Sequence, residues 1–169
     1  MTSPTSTGDG APIDLDPHLF GAGQPCFGCS PDHPTGFRLR FAREGEAVTT
    51  RFTPTDAHQG PPRLMHGGLV MTLADEIGAW TLVGLLGKFG FTAKFAAKLR
   101  KPVRIGVETV GRGVIEKVGS RLVTVRVGLT QGAEEVFEAD IAFVLVDEKA
   151  AESILGAPLP PAWRTFCRA

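Results

Sequence analysis

The sequence predicts an α+β domain in which a curved antiparallel sheet of five or six strands wraps one long buried helix. Three observations lead there. Residues 68–86 form an apolar run whose only polar positions are Thr72, Asp75, Glu76 and Thr81. A helix that is apolar on nearly every side must be buried on nearly every side. Segments that are alternating or β-branched flank this run, two before it and four after it, and they are the only material able to cover it. The joins between the later segments are short, which favours antiparallel neighbours.

Residues 1–17, rich in Ser, Thr, Gly, Pro and Asp, read as a flexible arm, and residues 18–150 as the folded domain. Phe37, Leu39 and Phe41 alternate with polar residues and predict a strand. Glu44-Gly45-Glu46 turns the chain into a second strand over 47–53. The helix follows, about 28 Å long at ~1.5 Å per residue. From Phe91 the alternation is nearly strict, with Phe91, Ala93, Phe95, Ala97 and Leu99 on one face and Thr92, Lys94, Ala96, Lys98 and Arg100 on the other. Residues 103–117 are β-branched, and their glycines (Gly106, Gly111, Gly113) suggest bends or bulges. After Val118-Gly119-Ser120, strands over 121–130 and 135–146 join through Gln131-Gly132. Residues 151–169 form a Pro-rich tail that either docks through Trp163 and Phe166 or frays.

Composition narrows the function classes. Eighteen basic side chains balance 18 acidic ones, so the excess expected of a general nucleic-acid binder is missing. Three cysteines are too few for a disulfide scaffold. The opening MTSPTSTGDGAPIDLD has neither a basic nor an apolar signal region. Asp75 and Glu76 interrupt the longest apolar stretch, which argues against a membrane span. A cytoplasmic location is the expectation by elimination.

Four segments carry a resemblance. His66-Gly67-Gly68, then six residues, then Asp75 within Leu73-Ala74-Asp75-Glu76, resembles the signature of hotdog-fold acyl-CoA thioesterases, closest to their PaaI-like branch. Cys26-Phe27-Gly28-Cys29 with Pro34-Thr35-Gly36, and His58-Gln59-Gly60, resemble segments of one thioesterase subgroup. Phe91-Thr92-Ala93 leading to Arg100-Lys101-Pro102-Val103 looks like that family's central strand. The likeness covers roughly residues 24–147. It implies the hotdog fold, thioester hydrolysis to free acid and coenzyme A, no cofactor, and composite sites in a homodimer or a dimer of dimers. The alternative is a hotdog protein that binds acyl thioesters without hydrolysing them.

The residues themselves suit that chemistry. The first turn of a helix exposes unpaired N–H groups, and Gly67 and Gly68, lacking Cβ atoms, let a substrate oxygen come close. Asp75 lies mid-helix among apolar neighbours, where desolvation sharpens a base or a nucleophile. By resemblance it is the catalytic carboxylate, and Glu76, pointing about 100° away, is its structural neighbour. Gly67 and Asp75 stand eight positions apart, about 12 Å along a helix. One thioester needs both groups within ~3–3.5 Å, so one chain cannot supply both; a two-fold dimer can, with Gly67 of one subunit facing Asp75 of the other.

Thr92 matches the hydroxyl with which relatives hold the water, yet it alternates in phase with Lys94; a bulge, or a site at the strand's end, reconciles the two. His66 either orients the loop or touches the substrate. Gln59 resembles the loop amide that polarises the carbonyl, set one place further from His66 than in aryl-CoA relatives. Lys94, Lys98, Arg100 and Lys101 fall in an acid-free stretch suited to the phosphates of coenzyme A, or to a solvated sheet face. Cys26-x2-Cys29 with His33 resembles half a zinc site whose second half is missing unless Cys167 supplies a ligand. The expectation is no metal, and thiols packed over the end of the helix.

Overall fold

Seven strands make one sheet in the computed structural model, which describes residues 11–21 and 23–169. They are β1 Ile13–Asp14, β2 Phe41–Glu44, β3 Ala47–Phe52, β4 Gly90–Leu99, β5 Thr109–Val118, β6 Leu122–Gln131 and β7 Glu134–Leu145. The sheet order is β1-β2-β3-β5-β6-β7-β4, every pairing antiparallel. Helix α1, Gly67–Leu86, runs from the His66 N-cap to Gly87 in the left-handed conformation that suits glycine. Its Val70, Leu73, Ala74, Ile77, Trp80, Leu82 and Val83 are buried in one core with Val123, Val125, Val127, Phe137, Ile141 and Phe143 of the sheet. The α+β hotdog architecture is therefore as expected, with a seventh, two-residue strand added.

The added strand comes from the expected arm. Residues 1–10 lie outside the described residues. Of the rest, Ile13–Asp14 pairs with β2, and Leu15 packs where a Cβ on Gly84 would touch it at 2.9 Å. The C-terminal segment docks. Helix α2 spans Glu148–Leu155 and α3 spans Pro161–Arg164. Phe89, Val146, Ala151, Leu159 and Cys167 form a second small core there. Trp163 donates its indole N–H to the Phe20 carbonyl at 2.9 Å. Cys167 belongs to that core and is not in the cluster that Cys26 and Cys29 form with Glu76.

Three local expectations need correction. Phe37 and Leu39 are buried, but their N–H groups bond to the carbonyls of Phe27 and Gly28, at 3.0 and 2.9 Å, so the strand starts only at Phe41. Alternation recorded burial and not pairing. Gly111 and Gly113 carry no bulge; the register shift in β5 falls at Ile115/Lys117. A Cβ at Gly111 would collide with Ile77, and one at Gly113 with Thr81, so they let α1 lie close on the sheet. Phe91 does not share a face with Phe95. Thr92 pairs with Phe143 and Lys94 with Ala142, which leaves Ala93 as the extra residue of a bulge. The bulge turns Phe91 toward the second core and Thr92 to the helix side.

Candidate active site

The N-terminus of α1 is built by a tight loop. Gln59 Oε1 accepts from the Arg63 N–H at 2.7 Å, and the Gly60 N–H donates to the Leu64 carbonyl at 2.9 Å. The His66 N–H donates to the His58 carbonyl at 2.9 Å, and the Met65 N–H to Val103 at 2.8 Å. A Cβ on Gly60 would press on His66 Cα at 3.1 Å, so glycine eases the tight closure of the loop. Gln59 thus spends its oxygen on the loop and keeps its amide N–H pair as donors.

His66 is the N-cap. Its Nδ1 accepts from the Gly68 N–H at 3.0 Å. That places its proton on Nε2 and removes the Gly68 amide from the donors expected to face a substrate. The Gly67 amide has no acceptor among the described residues. A Cβ on Gly67 would make only ordinary contact with Leu99 at 3.6 Å, so packing within the chain does not demand glycine there. Gly78 differs: a Cβ there would stand 2.8 Å from the Phe143 ring.

Asp75 is half-buried on α1, and Thr92 Oγ1 donates to its Oδ1 at 2.6 Å. Burial pushes the Asp75 carboxyl above the ordinary aspartate range, and the Thr92 hydroxyl pulls it part of the way back. The β4 bulge is what makes this bond possible, because it turns Thr92 and Lys94 to opposite faces. Asp75 and Gly67 share one helix, about 12 Å apart, so a single chain does not bring them together.

The four expected cations divide. Lys98 pairs with Glu138 at 3.2 Å, Arg100 with Glu138 and Glu135 at 2.7 and 3.0 Å, and Lys101 with Glu134 at 2.7 Å. The stretch lacks acids in sequence, but β7 lays three beside it. Lys94 makes no ion pair among the described residues. A cleft of about 310 Å³ opens beside Gly67, lined by Leu64, Met65, Val70, Leu99, Arg100 and Lys101 among others. Its apolar lining was not foreseen, because these residues are brought together by the loop and two elements distant in sequence.

A second cluster lies behind Asp75. Cys26 Sγ is 2.8 Å from Cys29 Sγ and 3.2 Å from Glu76 Oε1, and the three donors lie within 4.8 Å of one another. The turn rests on the middle of α1, not over its end as expected, because Gly28 has no Cβ to collide with Glu76. His33 faces its own loop, its Nδ1 accepting from the Thr35 N–H at 3.3 Å. The bond from Cys29 holds the Cys26 thiol down at about 5 despite burial, and the same bond pushes Cys29 up. Burial, with the Cys26 charge beside it, pushes Glu76 up to about 8.

A family model described as the thioesterase superfamily matches residues 63–138, from the loop before α1 into β7. No curated protein matches. Among solved structures, a thioesterase superfamily protein is 22% identical with a TM-score of 0.58, over 63% of this chain and 53% of that one. This chain therefore spans about half the length of that protein. A hypothetical thioesterase from Streptococcus pneumoniae TIGR4, solved with coenzyme A, is 19% identical with a TM-score of 0.56, over 59% and 80%. A thioesterase from Ralstonia eutropha JMP134, described as phenylacetic acid degradation-related, is 20% identical with a TM-score of 0.59, over 64% and 86%. Residues 63–138 thus match the thioesterase superfamily, and the chain shares the hotdog fold of these solved structures.

Proposed function

We propose that the protein hydrolyses acyl-CoA thioesters at two composite sites of a homodimer. The observation that carries this reading is the bond from Thr92 to a half-buried Asp75. The bond occupies Oδ1 and leaves Oδ2 and the Thr92 lone pairs as acceptors, which suits them to hold both hydrogens of one water. Asp75 takes a proton as that water attacks the thioester carbon. The Gly67 N–H of the second protomer, set at the positive end of α1, holds the developing oxyanion. The C–S bond breaks, and the departing thiolate recovers the proton from Asp75.

Two features support the second protomer. Gly67 and Asp75 are too far apart along one helix to act on one carbonyl. Among the described residues, strand β4 pairs only with β7 and leaves a ten-residue edge open, which a second β4 can cover. The cleft beside Gly67 offers apolar walls for an acyl or pantetheine chain, with Arg100 and Lys101 at its rim for phosphate. The bound coenzyme A of the Streptococcus pneumoniae neighbour favours the same substrate class.

The test is release of free thiol from a panel of short, long and aryl acyl-CoA esters. Asp75→Asn should lower turnover by about 10²- to 10⁴-fold, the usual worth of a general base, without changing the mass in light scattering. An unchanged rate removes Asp75 from the mechanism, and a monomer removes the composite site. Tight acyl-CoA binding without thiol release would favour the non-hydrolytic binder.

A further inference from the structure

We propose that Cys26 and Cys29 form a thiol–disulfide exchange site that reacts with low-molecular-weight disulfides, with Glu76 as its proton carrier. The site lies behind Asp75, whose charge Glu76 feels, and uses none of the groups assigned to hydrolysis.

The geometry is that of a prepared pair. The two sulfurs are 2.8 Å apart, inside ordinary sulfur–sulfur contact. Cys26 is half-buried and Cys29 buried, so a small disulfide meets Cys26 first. The Cys29 N–H donates to Cys26 Sγ at 3.2 Å, and Gln24 Nε2 donates to Cys29 Sγ at 3.7 Å. Backbone bonds fix the turn on both sides: Phe37 to Phe27, Leu39 to Gly28, and Ser30 to Cys26. Glu76 sits under the turn with no cation in the salt bridges of the described residues; its bonded neighbours are the two thiols. A buried carboxyl facing two sulfurs is suited to holding and passing a proton. The split between a low Cys26 and a high Cys29 is the asymmetry of an attacking and a resolving thiol.

The chemistry balances. The Cys26 thiolate attacks one sulfur of RSSR; a Cys26–SR bond forms, the R–S–S–R bond breaks, and RS⁻ leaves with the proton of Glu76. Cys29 then gives its proton to the Glu76 carboxylate, and its sulfur attacks Cys26. The Cys26–Cys29 bond forms and a second RS⁻ departs. The dithiol is oxidised by two electrons and the small disulfide is reduced to two thiols.

The test uses the full chain, fully reduced, with glutathione disulfide as probe and intact mass with peptide mapping as readout. The wild type should lose two hydrogens, carry no adduct, and show a bond between residues 26 and 29. Buried Cys167, in the second core, serves as internal standard and should react about a hundredfold more slowly. Cys29→Ser should stop at one glutathione on Cys26, Cys26→Ser should react no faster than Cys167, and Glu76→Gln should accumulate the mixed disulfide. Three thiols left free in the folded wild type would overturn the proposal. So would equal reactivity of Cys26 and Cys167, or stoichiometric zinc on the two sulfurs of the purified protein. The wild-type measurement decides the question even where a variant fails to fold.

Discussion

Replacing Thr92 with valine keeps the side-chain volume and removes one hydroxyl. In the folded protein that hydroxyl donates to Asp75 Oδ1 at 2.6 Å, within the range of a charge-assisted bond. Such a bond contributes about 1.5–3 kcal/mol when one partner is ionised. Thr92 is exposed, so water competes and the low end, ~1.5 kcal/mol, applies. The bond favours the ionised carboxylate, and burial opposes it. Its loss therefore pushes the Asp75 carboxyl further up. A general base works only when ionised, so the variant loses most at low pH, where the ionised fraction limits the rate.

On the acid limb, ~1.5 kcal/mol is about a tenfold loss, and it fades as pH rises until both proteins are fully ionised. Valine also removes an acceptor for the water, which lowers the rate by one factor at every pH. The diagnostic is therefore the ratio of wild type to variant. It should be about tenfold larger on the acid limb than on the alkaline plateau, and Thr92→Ser should restore it. Thiol release from an acyl-CoA across the pH range, as kcat/KM, measures this. A ratio that stays constant with pH, or shrinks toward acid, refutes the role given to the Thr92–Asp75 bond.

Three other outcomes follow from the same geometry. Gly67→Ala meets only Leu99 at 3.6 Å, so thermal melting should stay put while kcat/KM falls at least about tenfold through obstruction of the amide. Gly78→Ala places a Cβ 2.8 Å from the Phe143 ring and should cost about 1–3 kcal/mol, read as a lower melting temperature. Glu138→Gln frees Lys98 of its ion pair and leaves Arg100 with Glu135 alone. KM for an acyl-CoA should fall a few-fold and depend more steeply on salt; an unchanged KM would mean that these cations do not meet the phosphates.

The parts legible in sequence were those written in local composition. An apolar run of helix length can be hidden only by wrapping, and α1 lies where that argument puts it. Asp75 was legible because a carboxylate inside such a run is costly. Pairing was less legible than burial: Phe37 and Leu39 alternate like a strand, but their backbone bonds go to the Cys26 turn. The bulge at Thr92/Lys94 has no Gly or Pro to announce it, and only the ladder to β7 reveals it. The acids that pair with Lys98, Arg100 and Lys101 lie on β7, brought beside β4 by a non-sequential pairing. The Cys26–Glu76 contact joins residues 50 positions apart, which no local pattern encodes.

Glycine gives the sharpest contrast between a helix built to pack and a helix built to be approached. At Gly78 and Gly84 an added Cβ would come within 2.8 Å of Phe143 and of Val48, so the chain's own core explains both. At Gly67 it would meet an ordinary contact, and the amide beneath it has no acceptor among the described residues. Packing among the described residues therefore does not account for glycine there. Asp75 has a hydroxyl to orient it, and β4 has an edge with no neighbour among the described residues. Each of these three lacks a partner of a different kind: an acceptor, a carbonyl and a strand. A small ligand supplies the first two only if one carbonyl can bridge about 12 Å of helix, which it cannot. In the proposed dimer, a two-fold copy pairing through β4 would supply the strand and close that gap in one operation, so the oligomeric state and the pH profile test one idea from two sides.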